Sequence, residues 1–267
     1  MKTLSRLYVA LILLFLYAPV LVMVVFSFNS GGSVWVFEGF SFDWYKSIVF
    51  NSTMLEALER TLIVAILSST ISTVLGTAAA VGIMALRSRL ANRIVMTATN
   101  IPMMNADIVT GVSLMLLFVF VGKLFGLTES LGFLTVLAAH ITFNLPYVIL
   151  SVMPRLKATD KSLQEAALDL GCTPIQAFFK VVIPSISTGI YTGLIMAFTL
   201  SLDDFVISYF TCGHYQTMPI VIYNMTKKTV TPDVYALSTL IFISVFVLLV
   251  LYNTVQTRSE QRRGTNA

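Results

Sequence analysis

The sequence predicts an all-α integral membrane protein of six transmembrane helices with both termini in the cytoplasm. Three observations carry that expectation. Of 267 residues, 57% are hydrophobic and only 11% are charged, less than half the roughly 25% of a soluble domain. A soluble globule could not cover so apolar an interior, and disordered or fibrous chains have a different make-up. Next, six apolar stretches, near 7–28, 61–86, 94–122, 131–153, 181–210 and 235–256, each reach the roughly 20 residues that cross a hydrocarbon core about 30 Å thick. Last, the basic residues are shared unevenly between alternate loops.

Threading the chain through six spans puts Lys2, Arg6, Arg87, Arg89, Arg93, Arg155, Lys157, Lys161, Lys180, Arg258, Arg262 and Arg263 on one side. The other side receives Lys46, Arg60, Lys123, Lys227 and Lys228. The positive-inside rule makes the richer side cytoplasmic. The net charge of +4 then reflects loop asymmetry, and no nucleic-acid partner is expected. Cys172 falls inside and Cys212 outside, so they are not expected to pair, and no C-x-x-C is present. Residues 1–267 are read as one transmembrane domain in contact with lipid.

The first span follows Lys2 and Arg6 as a signal peptide would. Its apolar run is too long for that reading, contains Pro19, and ends at Phe28-Asn29 without a small-x-small site. It is read as a retained helix. In the second, Ser68, Ser72, Gly76 and Ala80 place a small residue every four positions along one face, which lets helices pack closely. The third carries Pro102 amid Asn100, Asn105, Asp107 and Thr110. A proline frees a carbonyl that lipid cannot satisfy, so this segment should line protein or a wet cavity.

Between the fourth and fifth spans, Ser162 and Glu165 have capping-box spacing, although Thr159 or Asp160 could start the helix earlier. Gly171 stands where a glycine would end it. Thr173-Pro174 then supplies an N-cap and a first-turn proline for a second helix running towards Pro184. Leu163, Ala166, Ala167 and Leu170 give the first helix an apolar side with no obvious cover in this chain. A surface helix lying on the membrane is the alternative reading.

No G-x-x-x-x-G-K-[ST] occurs, so the chain has no phosphate loop. Neither H-E-x-x-H nor G-x-S-x-G is present, and no enzymatic activity or bound cofactor is expected. His140, inside the fourth span, is read as a hydrogen-bonding packing residue.

Three acids fall within the expected spans: Asp107, Asp203 and Asp204. Even a lenient insertion scale sets about 2.5–3.5 kcal/mol against each at a helix centre. No Lys or Arg lies centrally in any span, so each acid is expected to be protonated or compensated by a cation from outside the chain. Adjacent residues on a helix point about 100° apart. One of Asp203 and Asp204 would then face a pathway and the other a neighbouring helix or subunit. A polar outer helix end is the alternative for this pair.

Glu165-Ala166-Ala167-x-x-x-Gly171, nine residues, then Val181-Val182-Ile183-Pro184 resembles the EAA loop of ABC importer permeases. Phe198 through Ser208, His140 through Tyr147, Arg155-Leu156-Lys157 and Glu165 through Gly171 are similar to the spermidine/putrescine permease family of those importers. Met218-Pro219 through Tyr223, Thr231-Pro232-Asp233 and Ala236-Leu237 continue the likeness. Tyr235 departs from the asparagine of the family pattern. The resemblance implies the MetI-like permease fold and a bacterial cytoplasmic membrane. It also implies a second homologous permease, two cytoplasmic ATPase subunits holding ATP and Mg, and an external polyamine-binding protein. It makes Glu165, Ala166, Ala167 and Gly171, with Leu163 and Leu170, the contact to the ATPase.

Separated carboxylates at Asp107 and at Asp203 or Asp204 suit a solute with ammonium groups along an aliphatic chain. Tyr147, Tyr209 and Tyr223 could add cation–π faces worth about 0.5–2 kcal/mol each, although interfacial belts place tyrosines similarly. A permease for another cationic or amine-containing solute is the nearest alternative. A proton-coupled secondary transporter would also carry membrane carboxylates but needs no such elbow, and a membrane scaffold needs no buried acids.

Overall fold

The computed structural model describes residues 2–32, 36–86, 88–127, 130–228 and 232–264, without side chains at 2–5, 49, 161, 228, 248–249 and 251–264. Arg87 and Thr231, used above for loop charge and family likeness, lie outside the described residues. Two compact units result, Met1–Glu56 with Val221–Ala267, and Ala57–Ile220. Among the described residues the structure is helical apart from one isolated bridge between Asn29 and Phe40.

The first unit holds α1 (Lys2–Phe26), α2 (Asp43–Phe50) and α13 (Pro232–Gly264), with α1 and α2 both packed on α13. From Arg6 to Phe26, α1 is long and apolar enough to cross a membrane and is not buried by the rest of the chain. In α13 the described apolar stretch is Pro232–Val247.

The second unit is built on α3 (Ser52–Ala85, whose first residues belong to the first unit), α6 (Phe133–Ala158) and α10 (Ser187–Asp203). The small-residue stripe of α3 is its packing edge: Ser68, Ser72 and Ala80 are fully buried. A Cβ on Gly76 would lie 2.7 Å from Val148 Cγ1 of α6. Val148, Val152, Met153, Leu156, Ile186 and Ala197 complete the core at that end. Helices α3, α5 (Asp107–Leu124) and α6 are each long and apolar enough to span, and a bent pair, 174–185 with α10, makes a fifth candidate.

Two expected spans are interrupted. The stretch 94–122 is not one helix: α4 (Arg89–Met104) runs through Pro102, the chain breaks at Asn105–Ala106, and α5 (Asp107–Leu124) begins anew. The stretch 181–210 is bent by 67° near Ile186 and broken again at Asp204–Phe205, before α11 (Val206–Thr211). The helical segment leading into the bend contains a π-helical turn, Phe178–Val182, in which Ile183 N–H donates to Phe178 O. Pro184 has no N–H to continue a regular ladder, and widened turns form where a proline interrupts it.

Candidate functional site

The elbow between α6 and α10 is set by local chemistry. Helix α7 (Lys161–Asp169) is started by Asp160, whose side chain accepts from Ser162 N at 3.0 Å. Asp160 therefore caps it, and the Ser162–Glu165 box does not form. That hydrogen bond holds the Asp160 carboxyl below its ordinary range. The helix ends in a Schellman motif: Cys172 N–H donates to Ala167 O at 3.0 Å and Gly171 N–H to Leu168 O at 2.9 Å. Gly171 has φ +87°, which glycine adopts without a Cβ penalty. Thr173 then opens α8 (Pro174–Ala177) with a reciprocal box, accepting from Gln176 N and donating its own N–H to Gln176 Oε1.

On α7, Ala167 is buried, whereas Glu165, Ala166, Leu163 and Leu170 are exposed, Leu170 at 87%. Leu163, Glu165 and Leu168 border a cleft of about 530 Å³ whose far wall is Met84, Phe178 and Val182. The helix thus borders an open cleft and leaves the apolar side chains of Leu163, Leu168 and Leu170 exposed.

The break between α10 and α11 is held by buried polar groups. Asp204 Oδ2 accepts from Ser208 N at 2.8 Å and Oδ1 from Ile207 N at 3.3 Å, satisfying the free N–H groups at the start of α11. His140 Nε2 of α6 lies 2.9 Å from Ser208 Oγ and 3.4 Å from Asp204 Oδ2. One turn along α6, Asn144 Nδ2 donates to Ser201 Oγ at 2.8 Å, and Ser201 Oγ is 2.9 Å from Ser68 Oγ of α3. His140, Asn144, Ser201, Ser208 and Ser68 are all nearly or fully buried. Both partners of the histidine sit on Nε2 while Nδ1 has no hydrogen-bond partner. A nucleophile relay uses the two ring nitrogens separately, so this Ser–His–Asp cluster has a different arrangement.

Asp203 and Asp204 consequently differ in setting. They are not adjacent on one continuous helix: Asp203 is the last residue of α10 and exposed, while Asp204 lies in the break with its side chain 9% exposed. The expectation that Asp204 lacks an internal partner is corrected, because His140 and two backbone N–H groups surround it. Asp107 is also moved from mid-span to a helix end. It is the exposed first residue of α5, where the helix dipole favours an acid.

Helix α5 packs on α11 at Gly111, where a Cβ would lie 2.9 Å from the Phe210 ring. Tyr147 of α6 is partly buried, and Tyr209 of α11 is 44% exposed. Tyr223 belongs to the first unit, with Lys227 Nζ 4.4 Å from its ring centre. His140, Asn144, Ser201 and Ser208 were not singled out as site residues by sequence reasoning. The i, i+4 spacings His140–Asn144 and Asp204–Ser208 were the available signals.

A family profile described as binding-protein-dependent transport system inner membrane component matches residues 72–265. The chain is 38% identical over 251 residues to the putrescine transport system permease protein PotI of Escherichia coli K12, covering 93% of this chain and 89% of that protein. It is 35% identical over 246 residues to the spermidine/putrescine transport system permease protein PotC of Haemophilus influenzae, covering 92% and 93%. A solved bacterial ABC transporter involved in import of the acidic polysaccharide alginate shares the fold, with a TM-score of 0.74 at 14% identity over 96% of this chain and 95% of that one. An amino acid ABC transporter aligns with a TM-score of 0.55 at 19% identity over 82% and 98%. The chain belongs to the binding-protein-dependent transport system inner membrane components, as a multi-pass permease subunit of the ABC importer fold.

Proposed function

We propose that this permease carries polyamines, putrescine or spermidine, into the cytoplasm by alternating access in a bacterial cytoplasmic membrane, with both termini inside. The observation that carries the substrate class is the pair of exposed carboxylates at helix ends, Asp107 and Asp203, in a chain whose relatives are named for putrescine and spermidine. A polyamine spaces its ammonium groups along an extended aliphatic chain, and separated acids can exchange with them in turn. Tyr147 and Tyr209 offer ring faces along the way. Weak contacts at several points suit transport, since the solute must leave again.

In this reading residues 1–267 act as one permease domain beside a second homologous permease. Two cytoplasmic ATPase subunits supply the energy, holding ATP and Mg themselves, and an external polyamine-binding protein delivers the solute. The chain catalyses no chemical step. Glu165, Ala166, Ala167 and Gly171, with Leu163 and Leu170, form the contact with the ATPase, whose closure α7 passes to the spans. The exposed apolar side chains of α7 support that role.

The test is uptake of labelled putrescine and spermidine by liposomes containing the assembled importer and its binding protein. ATP-dependent uptake suppressed by either unlabelled polyamine supports the reading. ATP-dependent uptake of another solute that excess polyamine leaves untouched overturns it.

A further inference from the structure

The two exposed acids, Asp107 and Asp203, are tied to one short helix, all within the second unit. Asp203, at the end of α10, lies between two attachments to α6. Two residues earlier, Ser201 Oγ accepts from Asn144 Nδ2 at 2.8 Å. One residue later, Asp204 Oδ2 lies 3.4 Å from His140 Nε2. The same His140 nitrogen is 2.9 Å from Ser208 Oγ, so it grips the first turn of α11. The far end of α11 is also held, since Thr135 Oγ1 of α6 lies 2.8 Å from Thr211 O. His140, Asn144, Ser201, Ser208 and Thr211 are buried, where losing a hydrogen-bond partner is costly.

Asp107 hangs on the same helix. It begins α5, and Gly111, one turn further along the same face, is where α5 meets α11. A Cβ on Gly111 would lie 2.9 Å from the Phe210 ring and 3.5 Å from both Ile207 Cα and Val206 O. So close an approach leaves no side chain between the helices at that point, and close-packed elements transmit displacement to one another. A shift of α11 therefore carries α5, and Asp107 with it. Asp203 responds less, because its Ser201–Asn144 attachment does not involve His140. The separation of the two carboxylates then depends on the grip of His140 on α11.

Two carboxylates at a set spacing attract both ends of a diamine together only when its carbon chain matches that spacing, since Coulomb attraction weakens with distance. We propose, resting on the polyamine reading above, that His140 is a positioning residue which sets the Asp107–Asp203 separation through α11 and with it the amine-chain length the permease favours. The imidazole is only 2% exposed, so it acts on the solute through the acids and not by touching it.

The test measures uptake of unbranched diamines of three, four and five carbons by the importer assembled in liposomes with its ATPase subunits and binding protein. Rates are expressed per assembled complex for wild type, His140→Gln and Ser208→Ala. All three use the same binding protein, whose own preference cancels when each variant is divided by wild type. The expected result is a variant-to-wild-type ratio that differs several-fold among the three diamines for His140→Gln, and in the same direction but less for Ser208→Ala. A ratio equal for all three diamines in both variants would make the joint a support of the fold alone and overturn the proposal. Ser208→Ala deletes one hydroxyl and leaves the His140–Asp204 contact in place, so it decides by itself if His140→Gln does not assemble. Absence of diamine and spermidine uptake by wild type, with ATP hydrolysis intact, is a separate outcome that defeats the polyamine reading and this positioning role together.

Discussion

His140 Nε2 stands 2.9 Å from Ser208 Oγ and 3.4 Å from Asp204 Oδ2, so a single ring nitrogen of α6 fastens both ends of the first turn of α11. The same turn is capped by the Asp204 carboxylate. The α10–α11 break is therefore a fixed joint against α6, and it leaves Asp203, one residue earlier, at an exposed helix end.

Removing the imidazole should loosen that joint. His140→Phe should lower unfolding stability by about 1–3 kcal/mol, the scale for leaving a buried hydrogen-bonding group without its partner. Adding Asp204→Leu should cost less than the sum of the two single changes, since partners in contact are non-additive. Thermal unfolding of the purified chain in detergent reads both effects, and strict additivity would show that the two side chains act independently.

The acids should separate by phenotype. Asp107→Asn and Asp203→Asn should each reduce polyamine uptake about tenfold, equivalent to roughly 1.4 kcal/mol, while the assembled complex is recovered in normal amount. Asp204→Asn should instead reduce the amount of folded, assembled complex. Normal uptake by the Asp107→Asn/Asp203→Asn double variant would remove both from the pathway. Loss of assembly on their substitution would make them contacts to another subunit.

Coupling should depend on the ends of α7. Gly171→Val forces a branched residue to φ +87°, where an L side chain costs roughly 1–2 kcal/mol, and Glu165→Lys reverses an exposed charge. Both should insert normally yet lower substrate-stimulated ATP hydrolysis. Asp160→Ala should do so more mildly and by the same factor at pH 6 and pH 8. The carboxyl it removes is held below its ordinary range, so the cap is fully present above the unfolded value of about 3.9 and lost only as pH falls through the lower folded one. ATPase stimulation is the measurement, and wild-type values in Gly171→Val and Glu165→Lys would remove α7 from the coupling path.

Orientation is read by an impermeant thiol reagent on intact cells. His214→Cys, exposed beyond α11, should label from outside, and Ser88→Cys, exposed between α3 and α4, only after permeabilisation. Labelling of both from outside would reverse or break the threading deduced from loop charge.

The sequence by itself determined the features whose causes are local. Apolar length marks α1, α3 and α6 as spans because the bilayer fixes a minimum run. Gly171 and Thr173-Pro174 fixed the stop and restart of the elbow, since caps are decided within a few residues. The stripe Ser68, Ser72, Gly76 and Ala80 announced a close-packed face through its spacing alone. Tertiary structure alone decided where the long apolar stretches break. The helix runs on through Pro102 and stops at Asn105, and the fifth stretch parts at Asp204 because α6 brings His140 to it from 68 residues before Ser208. Apolar periodicity reads the same on either side of such a break, so Asp203 and Asp204 looked equivalent. Only packing shows that one carboxylate is consumed by a joint while the other is left at the surface.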